Sequence, residues 1–260
     1  MSVRSHADTV TNAEWSDLVG ELDRWGEAGQ VATLWWRDDD AVAMTPCLAR
    51  LLSLAATTPL ALAVIPAEAE PGLAAALRPL RQVAVLQHGW RHANHAVAGK
   101  KSEFPPERPA NAVANDLACG RERLVALFDG SALPVLAPPW NRFAAAFETL
   151  LAGAGIAALS AMAPRRGPKL PAGIAAVDAH VDLVAWSGDR GFIGTAAALG
   201  GIVGELRRRR LGLADPIAAT GILTHHLVMD DATADFLAAL QPVITGHRAA
   251  RWADIREALR

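Results

Sequence analysis

The chain has 260 residues, 52% of them apolar, and a formal net charge of −2. That length and apolar content suit one large α/β domain with a sizeable core, and the near-neutral charge argues against a nucleic-acid binder. The opening MSVRSHADTVTNAEW lacks the apolar region of a signal peptide, and no run of eighteen uninterrupted apolar residues occurs, so a cytoplasmic protein without a membrane span is expected.

A helix is predicted over 13–27, within an N-terminal helical extension of residues 1–30. The strand predicted over 31–37 carries Trp35 and Trp36 and runs directly into Asp38, Asp39 and Asp40. Three adjacent carboxylates repel one another unless a cation or an arginine compensates. Such a run is ordinarily an exposed acidic turn, but this one is spliced onto a buried-looking strand. Extended geometry would send Asp39 and Asp40 in opposite directions. A helix over 46–55, a strand over 60–65 and a helix over 71–80 follow, with Pro46 and Pro71 at helix starts, where proline is tolerated.

The strand predicted over 83–87 ends in His88, with Trp90, His92, Asn94 and His95 beyond. On a helical turn an i, i+4 pair places both imidazoles on one face and chelates a metal, and Gly89 frees the backbone to leave the strand. A loop over 96–109 with Lys100 and Lys101 precedes a helix over 111–128. A strand over 135–137 then ends in Pro138, Pro139, Trp140, Asn141 and Arg142. Two prolines cannot continue a ladder, so this segment reads either as a plain strand-terminating loop or as a rigid wall that aims a backbone N–H or an aromatic face at a substrate.

A helix over 144–151, a strand over 156–160 and a second long loop over 163–173 come next. His180 precedes the strand over 181–185, in which Asp182 is a candidate to orient a histidine and after which comes Trp186. In the helix over 195–211, the run Arg207 to Arg210 reads as a solvated face. The strand over 221–224 leads into His225 and His226, only one of which can enter a barrel mouth, where a histidine serves as general acid. A helix over 232–240 and a C-terminal helical tail over 246–260 complete the chain. Cys47 and Cys119 have no CxxC partner and read as small buried hydrophobes.

Strands alternating with helical stretches indicate βαβ units and a parallel sheet. No GxGxxG follows the first strand and no GxxxxGK[ST] occurs, so dinucleotide and P-loop sites have no support. The polar residues gather instead after the strands' C-terminal ends, where α/β barrels place active sites, which favours a barrel over residues 31–245. Histidine nitrogen and carboxylate oxygen gathered there suit one divalent metal, zinc first among them.

In this order the motifs resemble the polysaccharide deacetylases, carbohydrate esterase family four or the NodB-homology domain, over about residues 31–230. The resemblance implies a single-domain distorted (β/α)7 barrel. It also implies a hydrolase of carbon–nitrogen, non-peptide bonds that removes an N-acyl group, typically acetyl, from an amino sugar or polysaccharide-related substrate. Asp39 then matches the catalytic base, Asp40, His88 and His92 the metal ligands, and His225 the catalytic acid. A register using Asp38 and Asp39 stays open. Trp140, beside Pro139, takes the place of an aromatic whose backbone N–H helps hold the oxyanion, and Trp90, His95, Arg142, Asp182, Trp186 and His226 are expected around the substrate. Two departures stand out: the family's arginine is Ala137 here, leaving Arg142, Arg37 or Arg91 to replace it, and a small hydroxyl residue is Gly89. Expected partners are a small molecule or carbohydrate, with no nucleic acid and no membrane. Competing readings are a metal-dependent amidase or deformylase on a small non-sugar amide, and a non-catalytic, metal-bearing sugar binder.

Overall fold

Strands buried on both faces need no polar alternation, and the runs LALAV, VAVLQ and TGILT are accordingly buried at every residue. The computed structural model describes residues 13–164 and 169–259. Residues 1–12 of the expected N-terminal extension and 165–168 of the second long loop lie outside them. Helix α1 (Trp15–Glu27) leads into β1 (Ala32–Ala41), followed by α2 (Pro46–Ala55), β2 (Leu60–Val64), α3 (Pro71–Leu77) and β3 (Val83–Gln87). Then come α4 (Ala110–Phe128), β4 (Ala132–Leu136), and three two-residue strands, β5 (Ala158–Leu159), β6 (Ala175–Ala176) and β7 (Val181–Asp182). Helix α5 (Thr195–Arg210), β8 (Thr220–Thr224), α6 (Asp231–Gly246) and β9 (Ala250–Trp252) end the chain.

All strand pairings are parallel, in the order β6-β5-β4-β3-β2-β1-β8-β7, with β9 added on β1. The two ends of that order belong to one extended stretch. Ala175 and Ala176 pair with β5, whereas Val181 and Asp182 pair with β8. The sheet therefore curls until its ends meet in residues 175–182, a distorted (β/α)7 barrel.

Side-chain alternation along β1 separates two cores. Leu34 and Trp36 face the helices and join the larger core, while Trp35 points into the barrel. There Trp35 is surrounded by Ala61, Ala63, Ala84, Ala137 and Ala158, small residues that leave room for one indole. Gly221 belongs to this packing: a Cβ there would lie 2.5 Å from Trp35 Nε1.

Several local expectations change. The 144–151 segment winds as 3-10 turns over Ala145–Leu150, since so short a stretch gains little from an α-helical nucleus. Strand β9 interrupts the expected helical tail because its backbone finds partners on β1. The four-arginine run is not uniformly solvated. Arg209 is buried and donates to Thr33 O, Thr33 Oγ1 and Thr220 Oγ1, and Arg210 Nε lies 2.6 Å from Glu21 Oε1, tying α5 to α1. Cys47 is exposed rather than buried, and Cys119 is half-buried.

Candidate active site

The alternation that fills the barrel also aims the polar residues. After Trp35, the inward positions of β1 are Arg37 and Asp39; after Ala84 and Leu86 of β3, the next inward position, one residue past the strand, is His88. On β8, the face of Gly221 continues to His225. Asp38 and His226 fall on the opposite, helix-facing side, where Asp38 Oδ1 lies 2.6 Å from His226 Nδ1 and Oδ2 accepts from Thr224 Oγ1 at 2.7 Å. Burial pushes the Asp38 carboxyl up, against the hydrogen bond and charge of His226.

Asp40 departs from the alternation. Its φ of 74° lies in the left-handed region, at a register shift between Asp38 and Ala41, and this turns its carboxylate to the same cavity as Asp39. The expected opposite orientations of Asp39 and Asp40 do not occur, because the strand is bulged there. Asp40 Oδ1 lies 3.1 Å from His88 Nε2 and 3.3 Å from His92 Nε2.

The two histidines reach Asp40 through a turn and not along a helix. Gly89 (φ 63°) and His92 (φ 55°) are both left-handed, and the buried Glu103 carboxylate accepts the backbone N–H groups of Trp90 at 3.2 Å and Arg91 at 2.8 Å. A Cβ at residue 89 would lie 1.8 Å from Glu103 Oε2 and 2.8 Å from Pro139 Cδ, so only glycine fits. The Glu103 role was not legible beforehand, since nothing about an isolated glutamate in a long loop announces a backbone clamp.

These donors fit a divalent cation. His88 Nδ1 lies 2.8 Å from Ala137 O, a backbone acceptor that fixes this nitrogen as the N–H and leaves Nε2 as a lone pair toward Asp40. Ligand atoms of Asp40, His88 and His92 all lie within 4.8 Å of one another. Two imidazole nitrogens facing one carboxylate oxygen either carry protons or share a cation, and mixed nitrogen and oxygen donors are typical of zinc and its neighbours. Burial opposes charge on His88, but Asp39 and Asp40 hold its pKa above the ordinary value. Burial likewise works against the Asp40 carboxylate, yet His88, His225 and His92 keep it well below the usual range.

Arg37 meets Asp39. Its Nε lies 2.9 Å from Asp39 Oδ1 and its Nη2 donates to Oδ2 at 3.0 Å, while Nη1 donates to Ser160 O and Oγ and Nη2 also to Asn141 Oδ1. Of the three candidates to replace the missing arginine, Arg37 alone is in this position. Arg91 stacks over Trp90, and Arg142 Nη1 donates to Lys101 O at 2.8 Å.

His225 stands between two carboxylates, its Nε2 3.9 Å from Asp39 Oδ2 and its Nδ1 3.8 Å from Asp182 Oδ1. Both distances are ion-pair contacts, too long for hydrogen bonds. Trp186 Nε1 donates to Asp182 Oδ2 at 2.7 Å and packs its ring edge-on against His225. Trp140, at φ 56°, lays its ring 4.3 Å from that of His92.

Asp39, Asp40, His88, His92, Trp140 and His225 line one cavity of about 860 Å3, together with Arg142, Asp182 and Trp186. Asn94, Lys101 and Asn141, which stand in the motifs named above, line it as well, as do Met162 and Arg190. Other expected neighbours are not among its lining. His95 is exposed, Trp90 turns toward Arg91, Pro139 is buried behind Gly89, and His226 belongs to the Asp38 pair. His180 lies in a separate cavity of about 800 Å3, beside Glu205.

No family model and no curated protein matches the sequence. Solved structures do resemble it. A provisionally assigned polysaccharide deacetylase from Mycobacterium smegmatis aligns with a TM-score of 0.58 at 16% identity, covering 88% of this chain and 89% of that one. A family 4 carbohydrate esterase from Streptomyces lividans, in complex with acetate, gives 0.53 at 15% identity, covering 83% and 88%. A family 4 acetyl xylan esterase from Clostridium thermocellum, in complex with a cobalt ion, gives 0.53 at 12% identity, covering 87% and 89%. The chain thus has the NodB-like deacetylase fold that its order of motifs implied. Among the described residues no helix is long and apolar enough to cross a membrane.

Proposed function

We propose that this protein is a metal-dependent hydrolase that removes an N-acyl group, acetyl in the first instance, from an amino sugar or a related carbohydrate. The observation that carries the reading is the division of labour between adjacent carboxylates: Asp40 gathers His88 and His92, while Asp39 pairs with Arg37 and faces His225. Asp40, His88 and His92 would hold a divalent cation, zinc in this proposal, which would supply Lewis acidity toward an acyl oxygen and toward water.

Asp39 takes the proton of the attacking water. Arg37 fixes both of its oxygens, so the carboxylate is aimed before substrate arrives. His225 protonates the departing amine, without which C–N cleavage would expel a poor leaving group. Asp182 lies on the other side of the His225 ring, its Oδ1 3.8 Å from Nδ1. The backbone N–H of Trp140 is assigned to the oxyanion, with the indole closing one wall of the cavity.

Metal analysis of purified protein, combined with acetate release from N-acetylated amino sugars and from small non-sugar amides, tests this reading. One divalent metal per chain and turnover of the sugars are expected. Asp39→Asn should keep the metal and lose about 10²–10⁴-fold in rate, whereas Asp40→Asn should lose the metal. Near-normal turnover in Asp39→Asn, or metal retention in Asp40→Asn, would overturn the assignment. Turnover confined to non-sugar amides would move the substrate class.

A further inference from the structure

The floor and the rim of the active-site cavity differ in charge. The three carboxylates that line it are each engaged: Asp39 by Arg37, Asp40 by His88 and His92, and Asp182 by Trp186 Nε1 and the Val184 N–H. The cationic lining residues are Lys101, Arg142 and Arg190. None of these three forms an ion pair with a carboxylate among the described residues.

They come from three separate segments, after β3, β4 and β7, so no single basic stretch accounts for them. Two of the three are held by the backbone around them. Arg142 Nη1 donates to Lys101 O, which couples those two segments. Arg190 has a φ of 63°, an uncommon state for a residue with a side chain, in a turn closed by Ala185 N–H to Gly191 O and by Gly191 N–H to Asp189 Oδ1. The neighbouring carboxylate, Asp189, is thus occupied in shaping the turn.

The chain as a whole has a formal charge of −2, so a mouth with three cations that have no ion-pair partner among the described residues is a local concentration and not an overall basic character. A second cavity of about 510 Å3 adjoins the first, sharing Asn141, Arg142 and Met162, and adds Lys100 and one carboxylate, Glu107. Arg142 therefore stands where the two cavities meet. A neutral acyl sugar has no use for unpaired cations beside a cation-binding floor, and like charges at one mouth repel unless an anion enters.

From this arrangement, and resting on the hydrolase reading above, we infer that the substrate is an N-acylated amine that also bears an anionic group, a carboxylate or a phosphate, bound by Lys101, Arg142 and Arg190. Floor and rim then divide the work. The floor handles the acyl amide, and the rim sets register by charge-assisted hydrogen bonds to the anion.

The test uses the full-length, zinc-loaded protein and four probes: N-acetylglucosamine, N-acetylglucosamine 6-phosphate, N-acetylmuramic acid and the methyl ester of the last. Both kcat/KM and, on the Asp39→Asn protein, calorimetric Kd are measured. The anionic members should be preferred over their neutral counterparts by about tenfold or more, with the phosphate and carboxylate probes telling which anion fits. Added salt should erode the preference. Arg142→Gln and, independently, Arg190→Gln should each bring the anionic-to-neutral ratio toward one. Turnover without charge preference overturns this inference and leaves the hydrolase reading standing. Anion-selective binding that is lost in both variants, with no turnover of any probe, supports the inference and sinks the hydrolase reading. Equal binding of all four probes overturns it outright.

Discussion

Replacing Arg37 by Met should destabilise the protein by about 3–5 kcal/mol, the usual consequence of removing one partner from a buried ion pair. Arg37 is fully buried, and Asp39 is 2% exposed, so neither charge has water to fall back on. Asp39 would keep none of its guanidinium contacts, and Ser160 O, Ser160 Oγ and Asn141 Oδ1 would each lose a donor. Methionine fills similar volume, so the loss reports charge and hydrogen bonding more than a cavity. Urea unfolding of the parent, Arg37→Met, Asp39→Asn and the double variant, all with metal chelated, closes a double-mutant cycle. The double variant removes both charges and should be more stable than the sum of the single losses predicts, by at least about 2 kcal/mol. A loss below about 1 kcal/mol in Arg37→Met, or strict additivity, would refute the claim that Arg37 compensates Asp39. Had Arg142 or Arg91 served that carboxylate, its removal would produce the same cycle with Asp39→Asn; neither should.

Three further outcomes are expected. Glu103→Gln should weaken metal binding by roughly 10–100-fold in a chelator competition, because the turn that presents His92 loses its carboxylate acceptor; unchanged affinity would show that the turn holds itself. His226→Ala should lower stability by about 3–5 kcal/mol by leaving Asp38 buried without its imidazole, while His225→Ala should spare stability and cut amide hydrolysis about 10²–10⁴-fold; exchanged phenotypes would reverse the assignment. His180 is pulled down to about 4 by burial and then by Arg209 and Arg208, so the folded state resists its protonation. Its contribution is present above pH 6.5 and is lost as pH falls from there through 4, by about 3 kcal/mol at most, so His180→Gln should flatten acid unfolding over that window. Glu205 faces it at 3.5 Å and is itself raised by burial; a slope of opposite sign, with stability rising as pH falls from 6.5, would refute the assignment.

The period-two logic of strands made much of the site readable along the chain. With the apolar runs as parallel staves, residues two apart share a face, and only one of His225 and His226 can enter the mouth. The βαβ rhythm and the place of Asp182 ahead of Trp186 follow from local pattern, whereas His88 and His92 meet through a left-handed turn and not along the helical face their spacing suggests. Local pattern is strong there because burial on one face repeats every second residue.

Tertiary structure decided what depends on distant partners or on a single backbone departure. Asp40 reaches the cavity only because a bulge puts it at positive φ, and nothing in three consecutive aspartates says which of them will turn. Arg37 became the partner of Asp39 because Ser160 and Asn141, more than a hundred residues away, complete its hydrogen bonds. Glu103 clamps a turn it does not adjoin, and the short strands of residues 175–182 exist only because two other strands flank them. Periodicity reports which face a residue takes; the identity of its neighbour across the barrel is set when the sheet closes.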